Sequence, residues 1–237
     1  IFESRMKDVA IVTGASGGIG RAISLSLGKQ GYEMILLGRD AKKLKALTTE
    51  CQSLHGHATY FAGDLLDTNY LELMEKTISS HQKNISVLVN NAGIAVRGPF
   101  YESSMKEWNK IVDLNVSAAL NLSRAVLPRM IDRRKGSIIN ISSLSGRFTS
   151  AGSALYSATK HALNGLSGGM FEDVREFDIK VSAIMPGYVD TELTSNIGRN
   201  KKRMILPEDV AAAVDFVIQS SPNCCPTEIV LRPQQAP

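Results

Sequence analysis

Two groupings of residues in this chain have types and spacing suited to chemistry. Of its six tyrosines, only Tyr156 is followed four positions later by a lysine, Lys160. On a helix that spacing puts both side chains on one face. A phenol with a reference pKa of about 10 is a poor base at neutral pH, and a neighbouring ammonium favours its ionised form. The second grouping is Thr13-Gly14-Ala15-Ser16-Gly17-Gly18-Ile19-Gly20. Gly14, Gly18 and Gly20 permit a tight turn and a close backbone approach, and a helix starting at once behind them offers unpaired N–H groups to a phosphate. Ser16 adds a hydroxyl beside them.

The elements that must hold these groups are legible in the hydrophobic pattern. Short apolar runs fall at Val9–Val12, Met34–Leu37, Thr59–Phe61, Val87–Val89, Ser137–Ile141, Val181–Met185 and Glu228–Leu231. Most are continuously apolar and bounded by Gly, Asn, Asp or Pro, as expected of strands buried on both faces. Helical patterns fill the intervals at 18–30, 41–54, 68–81, 104–133, 154–177 and 207–219. In the last, Val210, Val214 and Val217 form a stripe, with Pro207 at the start and Glu208 and Asp209 in the first turn. Strand and helix alternating this often predict an α/β fold, a doubly wound parallel sheet with helices on both faces. The stretch 187–206, polar and basic, reads as a loop that either covers a site or lacks order.

In order along the chain come TGxxxGxG at 13–20, Asn90-Asn91-Ala92-Gly93 after the fourth strand, and the Tyr156–Lys160 pair. This sequence resembles the short-chain dehydrogenase/reductase family. The resemblance spans about 7–231 and implies a single Rossmann domain over 6–237, roughly seven strands wide, binding a nicotinamide dinucleotide at the carboxyl edge of the sheet. Gly14, Ser16, Gly18, Ile19 and Gly20 would cradle the pyrophosphate. Asp64 and Leu65 would hold the adenine, and Asn91, Ala92 and Gly93 would pack against the cofactor. Pro186, Gly187, Val189 and Thr191 would contact the nicotinamide end, and the loop 187–206 would cover the substrate.

Cofactor choice is made at the end of the second strand, where an acid accepts from a ribose 2′-OH and an arginine pairs with a 2′-phosphate. Alignment with the family puts Gly38 at the acid position, followed by Arg39. The missing carboxylate and the adjacent Arg39 point to NADP(H). Asp40 keeps the NAD(H) alternative open, unless it serves as N-cap of the helix starting at Ala41.

The resemblance also assigns the catalytic set. Tyr156 would give the proton in reduction and take it in oxidation. Lys160 would lower the tyrosine pKa and hold the nicotinamide ribose. Ser143, thirteen residues before Tyr156, would orient the substrate oxygen in preference to Ser142, and Asn115 would bend its helix and complete a proton relay. The reaction implied is hydride transfer between nicotinamide and a carbonyl or secondary alcohol. A regulator that keeps the fold without catalysis is the alternative from another class, and it predicts damage to a set that is intact here.

Composition narrows the remaining classes. Lys+Arg 27 against Asp+Glu 23 gives +4, too mild to imply a nucleic acid or a membrane surface. Three cysteines (Cys51, Cys224 and Cys225) and four histidines (His55, His57, His81 and His161) lack metal or disulfide spacing. No metal is expected. Residues 1–5 precede the first methionine, Met6, and read as a remnant foreign to the native chain. With no signal peptide before Met6, a cytoplasmic protein is expected. Arg129, Arg133, Arg134 and Lys135 read as a solvated helix end. Arg199-Asn200-Lys201-Lys202-Arg203 reads as a loop tip or a contact for an acidic substrate, with Phe148, Tyr188, Leu193 and Ile197 as candidate pocket walls. Gly168 and Gly169 interrupt the helix of Tyr156 and Lys160, which fits a close-packed partner helix; the family's dimer interface makes a homodimer or homotetramer the expectation.

Overall fold

A computed structural model describes residues 8–54, 57–80 and 84–237. The segment 1–5, His55 and His81 lie outside the described residues. Seven strands form one sheet: β1 (Asp8–Thr13), β2 (Glu33–Gly38), β3 (Ala58–Ala62), β4 (Asn84–Asn90), β5 (Gly136–Ile141), β6 (Ile179–Pro186) and β7 (Glu228–Leu231). Their order is β3-β2-β1-β4-β5-β6-β7, every pairing parallel. The helices are α1 (Gly18–Lys29), α2 (Ala41–Ser53), α3 (Thr68–Ser80), α4 (Met105–Val112), α5 (Ala118–Arg133), α6 (Ala154–Val174) and α7 (Pro207–Gln219).

The continuous apolar runs follow from burial on two sides. Along β1, Ala10 and Val12 face a core shared with α1, α2 and α7, while Val9 and Ile11 face the opposite core under α3, α5 and α6. Side chains alternate across a strand, so a sheet covered on both faces needs apolar residues at consecutive positions. The outer strand β7 has only four residues, which limits exposed edge. The strand order runs outward in opposite directions from β1 and β4, and this switch point opens a crevice at the carboxyl ends of the strands.

The structure corrects two expectations. The single helix over 104–133 is two helices joined by a π-helical turn, Asp113–Ser117. Asn115, 2% exposed, makes this wider turn useful: its amide donates to the Ile94 carbonyl at 2.9 Å and accepts from the Ile94 N–H at 2.9 Å. The stretch 187–206 is also more structured than its composition suggests. Val189 and Ile205 are buried and bridge each other, with 3₁₀ turns at Glu192–Thr194 and Lys201–Arg203 between them. Apolar residues at both ends of the segment staple it onto the core.

Among the described residues, and apart from the backbone of α6 itself, nothing comes within 4 Å of a Cβ added at Gly165, Gly168 or Gly169, so the expected close approach to α6 is absent among them.

Candidate active site

The glycine turn is fixed from below by β4. Thr13 Oγ accepts from the N–H groups of Asn91 and Ala92, each at 2.9 Å, and the Asn91 amide donates to the carbonyls of Thr13 at 2.9 Å and Gly14 at 3.2 Å. Gly14 has φ of +60°, and a Cβ on Gly20 would sit 2.2 Å from the Gly14 carbonyl oxygen. At both positions a side chain would break the turn. Gly17 caps α1 without a side-chain hydrogen bond, which leaves the first-turn N–H groups directed at the crevice. The crevice here is a cleft of about 550 Å³ lined by Gly14, Ser16–Gly20, Arg39, Asp64, Leu65, Asn91–Gly93 and Thr191. Glycine backbone, a helix N-terminus and bordering cations fit a dinucleotide phosphate chain.

At the end of β2, Asp40 is the N-cap of α2: its Oδ1 accepts from the Lys43 N–H at 2.9 Å. Arg39 lies exposed 3.9 Å from Asp64. Asp64 Oδ1 accepts from the Leu66 N–H at 3.0 Å, which closes its own turn. Lys43 borders the same cleft and holds Glu192 of the covering segment at 2.7 Å; that contact raises the Lys43 pKa. Thr191 packs its methyl group over Gly18, which ties the covering segment to the glycine turn.

The second half of the crevice is a cleft of about 740 Å³ that contains Tyr156, Ser143 and Lys160. It shares Ile19, Asn91, Gly93, Thr191 and Leu193 with the first, so the two run together as one groove. Phe148, Tyr188 and Leu193 line it as expected, together with Pro186, Gly187 and Val189; Ile197 does not.

Tyr156 and Ser143 line the same cleft, and the Ser143 Oγ accepts from the Ser145 N–H at 3.1 Å. Burial raises the phenol pKa, and Ser143 and the positive charge of Arg97 oppose that rise. Ser142 is buried and donates to the Lys160 carbonyl at 3.2 Å, so of the two hydroxyls it is that of Ser143 that acts on the phenol. Lys160 is 4% exposed and donates to the Ile141 carbonyl at 2.8 Å. Its Nζ lies 5.7 Å from the centre of the Tyr156 ring. Burial lowers the Lys160 pKa to about 8. The expected depression of the tyrosine pKa by Lys160 is therefore outweighed within the chain: the ammonium is engaged by a carbonyl while the phenol is desolvated. Asn115 also donates to Thr159 Oγ at 3.1 Å, and Gly93 lies between Asn115 and Lys160, where an added Cβ would be 3.1 Å from Asn115 Oδ1 and 3.7 Å from Lys160 Nζ.

Three of the four expected catalytic residues, Ser143, Tyr156 and Lys160, thus line one cleft, and the fourth, Asn115, is buried beside Gly93 and Thr159. Sequence reasoning missed Arg97, Arg232 and the segment 233–237, which reach the same cleft from distant parts of the chain. Arg97 had no signal beyond its place four residues after Gly93. Also missed was a buried network in which Asn90 donates to Asn140 at 2.8 Å and Asn140 to Ser167 at 2.8 Å, linking β4, β5 and α6 beneath the site.

Other candidates have structural partners. His161 Nδ1 lies 2.8 Å from the Ser157 carbonyl, and the basic end of α5 pairs with Asp8 and Asp178. Cys51, Cys224 and Cys225 are unpaired with one another. Among the described residues there is no cluster of metal-ligating side chains and no helix long and apolar enough to cross a membrane.

A family profile for short chain dehydrogenase matches residues 8–202. An uncharacterized oxidoreductase of Staphylococcus saprophyticus is 32% identical over 229 residues, covering 95% of this chain and 97% of that protein. Solved structures are similar as well, two among them as follows. A metagenomic short-chain oxidoreductase in complex with NADP is 35% identical with a TM-score of 0.84, covering 96% of this chain and 98% of that one. A short-chain dehydrogenase from Sphingobium yanoikuyae in complex with NADPH is 26% identical with a TM-score of 0.85, covering 96% and 88%.

Proposed function

This chain belongs to the short-chain dehydrogenase family, and from that premise we propose that it is an NADP(H)-dependent oxidoreductase acting on a carbonyl or secondary alcohol through Ser143, Tyr156, Lys160 and Asn115. The observation that carries the proposal is the convergence of Tyr156, Ser143 and Lys160 in one cleft continuous with the glycine turn.

Bound in the groove, the nicotinamide supplies or accepts the hydride. The chain's own residues do the rest. Tyr156 Oη gives a proton to the substrate oxygen in reduction and takes it back in oxidation. Ser143 Oγ holds that oxygen and stabilises the charge that develops on it. Lys160, buried and positive below about pH 8, favours the phenolate once the proton has left. Asn115 keeps the π turn open beside Lys160 and positions the route by which the proton is replaced. Gly14, Gly18 and Gly20 let the phosphates approach the N-terminus of α1, with Ile19 beside them. Arg39 would pair with a 2′-phosphate, Asp64 and Leu65 would hold the adenine, and Pro186, Gly187, Val189 and Thr191 would hold the nicotinamide end. Asp40 is engaged as an N-cap, which favours NADP(H) over the NAD(H) alternative. The crystallised relatives carrying NADP and NADPH point the same way. The open face of α6 around Gly165, Gly168 and Gly169 suits a second copy of the chain, as in a homodimer or homotetramer.

The test is a panel of ketones, aldehydes and oxo acids, each mixed with the purified protein and NADPH or NADH while nicotinamide absorbance is followed. Consumption of NADPH with at least one compound, faster than with NADH, is the expected result. Preference for NADH would overturn the cofactor assignment, and no turnover with either would overturn the enzymatic one.

A further inference from the structure

We propose that the substrate is anionic: a small carbonyl or carbinol compound carrying a carboxylate or phosphate group, attracted by Arg97 and Arg232, which line the same cleft as Tyr156. The proposal rests on the hydride-transfer reading above and names the substrate class of that site.

The described lining of the 740 Å³ cleft contains Arg97, Lys160, Arg199 and Arg232, and not one aspartate or glutamate. Three cations outside that lining are paired with carboxylates. Lys43 pairs with Glu192, Lys201 with Asp190 at 3.6 Å, and Arg147 with Glu228. Arg97 and Arg232, by contrast, have no hydrogen-bond or ion-pair partner among the described residues. Glu102 and Glu107, in a small cleft beside Arg97, form no ion pair with it, and Glu107 is engaged by Ser104 as a capping box. Arg199 is fixed differently: it lies 5.4 Å from the centre of the Tyr188 ring and donates to the Pro237 main-chain oxygen at 3.5 Å.

These arginines do not belong to the phosphate half of the groove. That cleft has its own cations, Arg39 and Lys43, and neither Arg97, Arg199 nor Arg232 lines it. Arg97 is instead close enough to Tyr156 for its charge to be felt by the phenol. A hydrogen bond from the Gly98 N–H to the Gly152 carbonyl, at 3.0 Å, anchors its loop to the segment leading into α6. Planar guanidinium groups match the geometry of carboxylate and phosphate oxygens, and two exposed, unpaired ones bordering the cleft favour an anion and disfavour an uncharged analogue.

The experiment reads binding, because removing Arg97 also alters the Tyr156 phenol and so affects turnover for a second reason. Protein loaded with NADP⁺ is titrated by calorimetry with matched pairs: acetoacetate and 4-oxopentanoate against their methyl esters, and hydroxyacetone phosphate against hydroxyacetone. At least one anion is expected to bind about tenfold or more tightly than its uncharged partner, with the advantage shrinking as salt is raised. In Arg97→Gln, and again in Arg232→Gln, that advantage should fall to about threefold or less, with NADPH affinity unchanged. The carboxylate and phosphate arms distinguish which anion is used. Equal or tighter binding of the uncharged partners, no measurable binding of any anion, or an advantage that survives both substitutions overturns the proposal. Failure of the underlying reading looks different: the anions bind, and none is reduced with NADPH.

Discussion

The two halves of the groove are built from different materials. The phosphate half is made of backbone: Gly14, Gly18 and Gly20 at fixed intervals, the uncapped start of α1, and Asn91 clamping the turn from β4. Its cations, Arg39 and Lys43, are each close to a carboxylate. The substrate half is made of side chains gathered from the loop after β4, the end of β5, α6, the covering segment and the tail after β7. Two of its arginines, Arg97 and Arg232, have no hydrogen-bond or ion-pair partner among the described residues. Backbone recognition requires particular residues at particular spacings and suits a ligand that does not change. Side-chain recognition requires only that residues meet in space, so it can vary without disturbing the turn.

That contrast can be broken by substitutions on each side. The largest effect is expected for Lys160→Met. Removing the buried cation should lower turnover by about a hundredfold or more, in line with the usual value of a proton-transfer device. The fold should respond in the opposite direction. Lys160 has a pKa of about 8 in the folded chain against 10.5 as the reference value, so the unfolded state binds the proton more tightly. The resulting penalty is complete below about pH 8 and is relieved as pH rises from 8 towards 10.5. Denaturant melts at pH 7 should therefore find Lys160→Met more stable by about 1–3 kcal/mol, and the rise in wild-type stability over that pH window should vanish.

Gly20→Ala tests the backbone half. Its Cβ would meet the Gly14 carbonyl oxygen at 2.2 Å, so the turn must shift. NADPH affinity measured by nicotinamide fluorescence should fall by more than tenfold, and the thermal midpoint should drop as expected for about 1–3 kcal/mol of overpacking. Arg39→Ala should reduce the preference for NADPH over NADH by about tenfold, measured as the ratio of the two dissociation constants, because one charge-assisted contact to the 2′-phosphate is lost. The smallest effect is expected for Asp40→Ala. Loss of the N-cap of α2 should cost about 1 kcal/mol in denaturant melts. An unchanged NADPH:NADH ratio in that variant would confine Asp40 to its structural role.

The same contrast explains how much could be read in advance. The strands, and every helix except the α4–α5 pair, were legible because burial on both faces forces apolar runs, and the glycine turn because it depends on spacing. The break between α4 and α5 was not visible in the periodicity, since a π turn keeps the same apolar faces while its cause, the Asn115 contact with Ile94, is made through space. The order within 187–206 escaped because it hangs on two buried residues, Val189 and Ile205, at opposite ends of a polar stretch. Arg97 and Arg232 lie 135 positions apart in the chain and no motif links them.

The most direct test of the central claim is one variant read on both halves at once. Tyr156→Phe removes a single hydroxyl from the side-chain half and leaves the glycine turn intact. NADPH binding should stay within about threefold of wild type, while NADPH consumption with the best carbonyl from the panel should fall by about 10²–10⁴. Retained turnover, or binding lost along with turnover, would contradict the division of labour between the two halves.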